Sequence, residues 1–212
     1  CYHVINRGNG RREVFRKDGD YEAFVKAICH ACIEIPMPVL GYCLMPNHFH
    51  LVVWPQHDGD LSRWMHWVLN THVRRYHQHY HSSGHIWQGR FKAFPIEAEE
   101  HLLTVLRYVE RNPLRAELVR RAEQWLWSSA RHWRETEDRP SFMTSGPAAR
   151  PRHWRDWVHE PLTPAELAAV RHSVNRGTPF GSESWVKRTA QRLDLESTLR
   201  PRGRPRQVAE EA

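Results

Sequence analysis

Four cysteines, Cys1, Cys29, Cys32 and Cys43, are too few to frame a disulfide scaffold, and a reducing cytoplasm is the simpler setting for them. No run of about 18 apolar residues occurs, which excludes a transmembrane helix and argues against a membrane partner. Nothing resembling a secretory leader opens the sequence, and no internal repeat is present. Negative charge is the minority: 24 acidic residues stand against 31 Lys and Arg, a net +7 with histidine neutral. Lysine is scarce, so the excess is arginine, whose planar fork matches phosphate oxygens and stacks on bases. Ten tryptophans accompany it. Basic side chains with interleaved aromatics suit a nucleic acid, single strands especially, although a basic globular protein with an aromatic core has the same composition. At 212 residues, 40% hydrophobic, there is material for one compact domain and an appendage.

Periodicity divides the chain. Tyr2 to Asn6 alternates as a strand and Arg7-Gly8-Asn9-Gly10 is a turn. Asp20 to Ile33 places Tyr21, Phe24, Val25, Ile28 and Cys32 at helical spacing, and Pro36 and Pro38 end it. Val39 to Met45 and His48 to Trp54 are strands joined at Pro46-Asn47, a β-hairpin. Leu61 to Tyr80 is a long helix broken by Ser82-Ser83-Gly84, Ile86 to Ile96 is strand-like with an interruption at Gly89, and Glu99 to Asn112 is a third helix stopped by Pro113. The order β-α-β-β-α-β-α predicts an α+β fold: a ferredoxin-like split βαβ antiparallel sheet with helices on one face. Residues 1–133 form this domain, 134–162 are expected to be an irregular connector, and 163–212 a C-terminal helical extension with a basic tail. In that extension Thr163 is the expected N-cap and Glu166 the capping-box partner of a helix to Asn175, a shorter helix covers Ser182 to Leu193, and Arg200 to Arg206 is expected to be disordered when free.

His48-Phe49-His50 is the sharpest local feature. On a strand, alternate residues share a face, so both imidazoles project together and can hold a divalent metal by nitrogen. Ordinary strand histidines give the same pattern. His77-Gln78-His79 and His79-Tyr80-His81 are also H-x-H, but on a helix, where such residues diverge. Tyr108 and Asn112 are one turn apart on the third helix, flanked by Arg107, Arg111 and Arg115. Taken together, a metal on His48, His50 and the Asn112 oxygen would polarise a phosphate, and the Tyr108 phenol would attack phosphorus to give a covalent phosphotyrosine. A half-buried tyrosine with an asparagine before proline is the structural alternative.

The residues carry a family resemblance. GYCLMPNHFHLVV resembles the HUH strand of single-tyrosine transposases, RYVERNPLRAELV their tyrosine helix, and YHVINRGN their first strand, over roughly residues 1–130. TPFGSESWVKRTAQRLDL followed by RPRGRPR resembles the C-terminal extension of REP-associated tyrosine transposases. The resemblance implies Tyr108 as nucleophile, Asn112 beside the metal, and a Mg²⁺ or Mn²⁺ requirement. It implies as partners single-stranded DNA and DNA hairpins of the REP-like palindrome type, a monomer, and a nucleoid-associated cytoplasmic protein.

Other features compete or add. Tyr76 and Tyr80 have the spacing of a two-tyrosine HUH initiator, but they precede the helix that resembles the tyrosine helix, and no amide accompanies them. Cys29 and Cys32 form a C-x-x-C without a second pair and read as buried structural residues. Val52 occupies the third position of any H-x-H-x-H, which excludes a histidine-triad hydrolase. Candidate DNA contacts are Arg7, Trp87, Arg90, Lys92, Arg107, Arg111 and Arg115, with a core role open for Trp87. Arg202, Arg204 and Arg206 resemble a minor-groove AT-hook core or a generic basic tail. Trp125, Trp127 and Trp133 are expected in core packing.

Overall fold

A computed structural model describes residues 1–133 and 139–201. Its elements are β1 (Tyr2–Arg7), α1 (Asp18–Glu34), β2 (Val39–Met45), β3 (His48–Val53), α2 (Asp60–Tyr80), β4 (Lys92–Pro95), α3 (Glu100–Glu110), α4 (Asn112–Arg115), α5 (Trp154–His159), α6 (Pro164–Arg176) and α7 (Glu183–Arg192). The sheet order is β2-β3-β1-β4 with every neighbouring pair antiparallel, the split βαβ plan expected from the order of elements. Among the described residues no helix is long and apolar enough to cross a membrane.

Alternation along β3 sorts the core. Phe49, Leu51 and Val53 face α1 and α2, where Phe24, Ile28, Trp64, Met65 and Val68 are fully buried. Val52 faces the other way, against Leu102, Leu106 and Val109 of α3. The helices therefore do not all lie on one face: α1 and α2 cover one side and α3 the other. The physical reason is visible in β2, which is apolar or small throughout and buried at every position, as a strand covered on both faces must be. Gly41 lets α3 come close, because a Cβ there would meet Leu106 Cδ2 at 2.6 Å.

Three boundaries differ from those expected. Pro113 does not end the helical path. It sits in the first turn of α4, where a missing N–H costs nothing. β4 is shorter than Ile86 to Ile96, since Gly89 adopts φ 144° and only Lys92–Pro95 pairs with β1. The segment 134–162 is not irregular throughout, because it contains α5, packed against α3. Thr163 does cap α6: its side chain accepts from Glu166 N at 3.2 Å while Glu166 accepts from Thr163 N at 2.7 Å. α6 buries Val170 in the α3 layer, and Phe180 beyond it exchanges backbone bonds with Pro95 and Glu97, bridging to the β4 edge.

The outer border of β2 is dressed by its own chain. Val39 bonds to Phe142 and Thr144, Tyr42 N donates to Ser129 Oγ, Leu44 N donates to the Trp127 carbonyl, Trp125 Nε1 donates to the Leu44 carbonyl, and Arg150 donates to the Leu40 carbonyl. Trp125 and Trp127 are partly buried against the core, as expected, with Trp127 stacked on Tyr21 at 4.9 Å.

Candidate active site

β3 and α3 bring the expected chemistry together. His48 and His50 project to the α3 side with ring centroids 5.0 Å apart. The Tyr108 ring meets His50 edge-on at 5.7 Å. One turn on, Asn112 Nδ2 donates to the Tyr108 carbonyl at 3.3 Å, and its Oδ1 accepts from Arg115 at 2.6 Å. Arg115, exposed on α4, lies over the Tyr108 ring at 4.7 Å. His50, Asn112 and Tyr108 are 2%, 2% and 5% exposed, so the pair of elements buries a polar cluster instead of sealing the face with aliphatic side chains.

Both imidazoles are held neutral. Burial, helped by the Arg7 and Arg115 guanidinium groups, pushes His48 down to about 4. Burial, then His48, His3 and the same two arginines, hold His50 well below the usual histidine range. A neutral ring is the form that ligates a cation. The hydrogen bonds fit that use. Asn47 Nδ2 donates to the Arg11 carbonyl at 3.1 Å, which turns its Oδ1 toward His48 Nδ1 at 2.6 Å. His48 is therefore protonated on Nδ1, and its Nε2 keeps a lone pair. Among the described residues no three His, Cys, Asp or Glu side chains converge on one point, so a cation here would draw on two imidazoles and an amide oxygen. The guanidinium of Arg115 already binds that amide oxygen, a positive group at the position the donor set would offer a metal. The residues present fit a divalent cation that keeps open positions for substrate oxygens.

The candidate DNA contacts separate into two groups. Arg7, Arg90 and Lys92 line one cavity of about 280 Å³ with Ile5, Asn6, Gln88, Val174 and Asn175. The strand register puts Arg7 opposite His48 and Ile5 opposite both His50 and Lys92, so this basic wall adjoins the imidazole pair on the same face. Arg107 and Arg111 turn away from it. Arg107 is 4% exposed, donates to the Glu160 and Pro161 carbonyls, pairs with Glu166 and lies over Trp157. Arg111 donates to the Val158 and His159 carbonyls. Both satisfy the end of α5 and are structural, a correction to their expected role. Trp87 is likewise a core residue, buried among Phe15, Phe24, Phe49 and His72. Arg202, Arg204 and Arg206 lie outside the described residues.

The rival features fall elsewhere. Tyr76 is buried in the α1–α2 core, and Tyr80 donates to Asp20 at 2.6 Å, so the sheet stands between this pair and the histidines. All four cysteines are free; Cys32 donates to the Met37 carbonyl, and burial first of all raises its thiol to about 11. Two positions were not anticipated. His3 and Asn47 each bond to one of the paired imidazoles. Strand alternation alone puts His3, Ile5 and Arg7 on one face, but not which strand lies beside them.

Residues 1–112 match the sequence profile of the family described as "Transposase IS200 like". A Haemophilus influenzae protein provisionally named a REP-associated tyrosine transposase is 26% identical over 117 residues, covering 50% of this chain. The match spans 66% of that relative's own length, just short of two thirds. Among solved structures, a REP-associated tyrosine transposase bound to a REP hairpin is similar over 65% of this chain and 78% of the other, at 20% identity and a TM-score of 0.52, a likeness of fold.

Proposed function

The chain belongs to the IS200-like transposase family, and from that membership we propose that it cuts and rejoins single-stranded DNA beside a hairpin through a 5′-phosphotyrosine on Tyr108. The observation that carries this reading is the packing of the Tyr108 ring against His50, with His48 alongside and a basic cavity on the same face. The hairpin partner rests on the name of the H. influenzae relative and on the REP hairpin bound by the structural neighbour.

Mg²⁺ or Mn²⁺ held by His48, His50 and Asn112 would act as a Lewis acid on the phosphate. The protein's own groups do the rest. The Tyr108 phenol gives its proton to water and its oxygen attacks phosphorus. A P–O bond forms to the ring, the bond to the 3′ oxygen breaks, and that oxygen leaves with the electron pair and takes a proton as a 3′-hydroxyl. Attack by a second 3′-hydroxyl on the same phosphorus reverses the exchange and frees Tyr108. One P–O bond replaces another in each direction, so no external energy is required. The Arg115 guanidinium lies over the ring, and it is exposed and long enough to exchange the Asn112 oxygen for a phosphate oxygen. Arg7, Arg90 and Lys92 grip the strand next to the reacting phosphate, and Gln88 and Asn175 offer amides to a base edge. Tyrosine and imidazoles come from one chain, which supports action as a monomer.

The test is a labelled single-stranded repeat containing a hairpin, incubated with Mn²⁺ and run on a denaturing gel. A protein–DNA conjugate is expected from the wild type, none from Tyr108→Phe, His48→Ala or samples with chelator, and hairpin binding by Tyr108→Phe should be retained. A conjugate from Tyr108→Phe equal to wild type would reject the nucleophile, while hairpin binding with no conjugate from any sample would leave a binding protein without turnover.

A further inference from the structure

His3 is the unexplained residue of the site. It is 0% exposed on β1, opposite Val52, and therefore on the face of Ile5 and its partner His50. Its ring rests on Phe94 at 4.8 Å and edges Tyr108 at 6.4 Å, surroundings in which a phenylalanine or leucine would pack as well. Its Nδ1 is buried without a hydrogen-bond partner among the described residues, an unfavourable state for a polar group removed from water. Its one polar contact among the described residues is Nε2 to His50 Nδ1 at 2.9 Å.

Between two neutral imidazoles that bond holds one proton. If His3 carries it, His50 is protonated on Nε2 and has no lone pair for a cation. If His50 carries it, His3 is the acceptor and His50 Nε2 is free to ligate. Asn47 performs the matching task for His48, where the amide orientation leaves no choice of donor. We propose that His3 is a positioning residue that accepts a hydrogen bond from the Nδ1–H of His50, so that both strand imidazoles offer Nε2 to the same cation. The inference rests on the reading of His48 and His50 as cation ligands.

The experiment is Mn²⁺ binding to the intact protein without DNA, followed by loss of the free-ion EPR signal, for the wild type, His3→Phe, His3→Gln and His50→Ala. Metal-free melting temperatures are measured alongside. His3→Phe should bind Mn²⁺ about 10–100-fold more weakly, with a metal-free melting temperature no lower than wild type. His3→Gln, whose amide oxygen can accept the same hydrogen bond, should recover affinity to within a few-fold. Unchanged affinity in His3→Phe together with lost binding in His50→Ala would overturn the role of His3 and spare the cation site. Wild-type affinity in His50→Ala would remove the cation site itself. Ring ¹⁵N NMR of the Mg²⁺-loaded wild type decides the matter should His3→Phe not fold: His50 protonated on Nδ1 supports the proposal, and on Nε2 defeats it.

Discussion

Arg107 on α3 and Arg115 on α4 share a charge but sit in opposite settings. The first is sealed against the Glu160 and Pro161 carbonyls just past α5 and the second lies in the open over Tyr108. Arg107→Ala should therefore cost about 1–3 kcal/mol of stability, because the bonds of a buried guanidinium to the Glu160 and Pro161 carbonyls are lost, and should leave DNA affinity per folded molecule unchanged. Arg90→Ala should do the reverse, and urea titrations paired with a filter-binding series would separate them. Equal loss of DNA affinity in both variants would restore Arg107 to the interface. The spacing of one helical turn puts Tyr108 and Asn112 on one side and strand alternation pairs His48 with His50, and the structure brings the four together. The sequence could not sort the arginines, since the carbonyls that capture Arg107 and Arg111 come from a stretch without readable period. Trp87 was ambiguous for the same reason: a tryptophan beside an irregular glycine carries no indication of its side.

Among elements, the short helical turn at Ala122–Gln124 and α5 are tied by Glu123, which accepts from Arg121, Arg155 and His159. Burial would raise its pKa, but hydrogen bonds from its own backbone amide, Arg155, Arg121 and His159 outweigh it and hold the carboxyl down to about 2. A depressed carboxylate stabilises the fold above its ordinary value of 4.5, and that contribution disappears as the pH falls from there toward 2. Melting temperature measured down this window should drop more steeply in the wild type than in Glu123→Gln; parallel curves would mean the cluster contributes nothing. The α6 start was legible because a capping box is a local pattern. α5 was not, because the tie that anchors it joins residues distant in the chain.

For the molecule as a whole, the division of the sheet decides function. One face is a closed hydrophobic layer, and the other carries the polar cluster, the basic cavity and the C-terminal helices. Single-strand affinity should therefore follow salt through few residues. Neutralising Arg7, Arg90 and Lys92 together should reduce the slope of log K against log salt by about 0.7 for each phosphate that then keeps its own counterion. An unchanged slope would mean that the strand runs elsewhere. The split βαβ order is readable from the succession of elements, whereas the two-sided cover lies in the composition of β2, whose apolar run is the signature of burial on both faces.

The β2 border, occupied along its length by Trp125, Trp127, Ser129, Phe142 and Thr144 of the same chain, has no row of idle amides to offer a stranger. Phe180 covers only the far end of the β4 border, bonding to Pro95 and Glu97. Copies of the chain brought side by side are thereby kept from zipping into a shared sheet along the β2 border, and any lesion that peels residues 125–129 from it would surface first as self-aggregation.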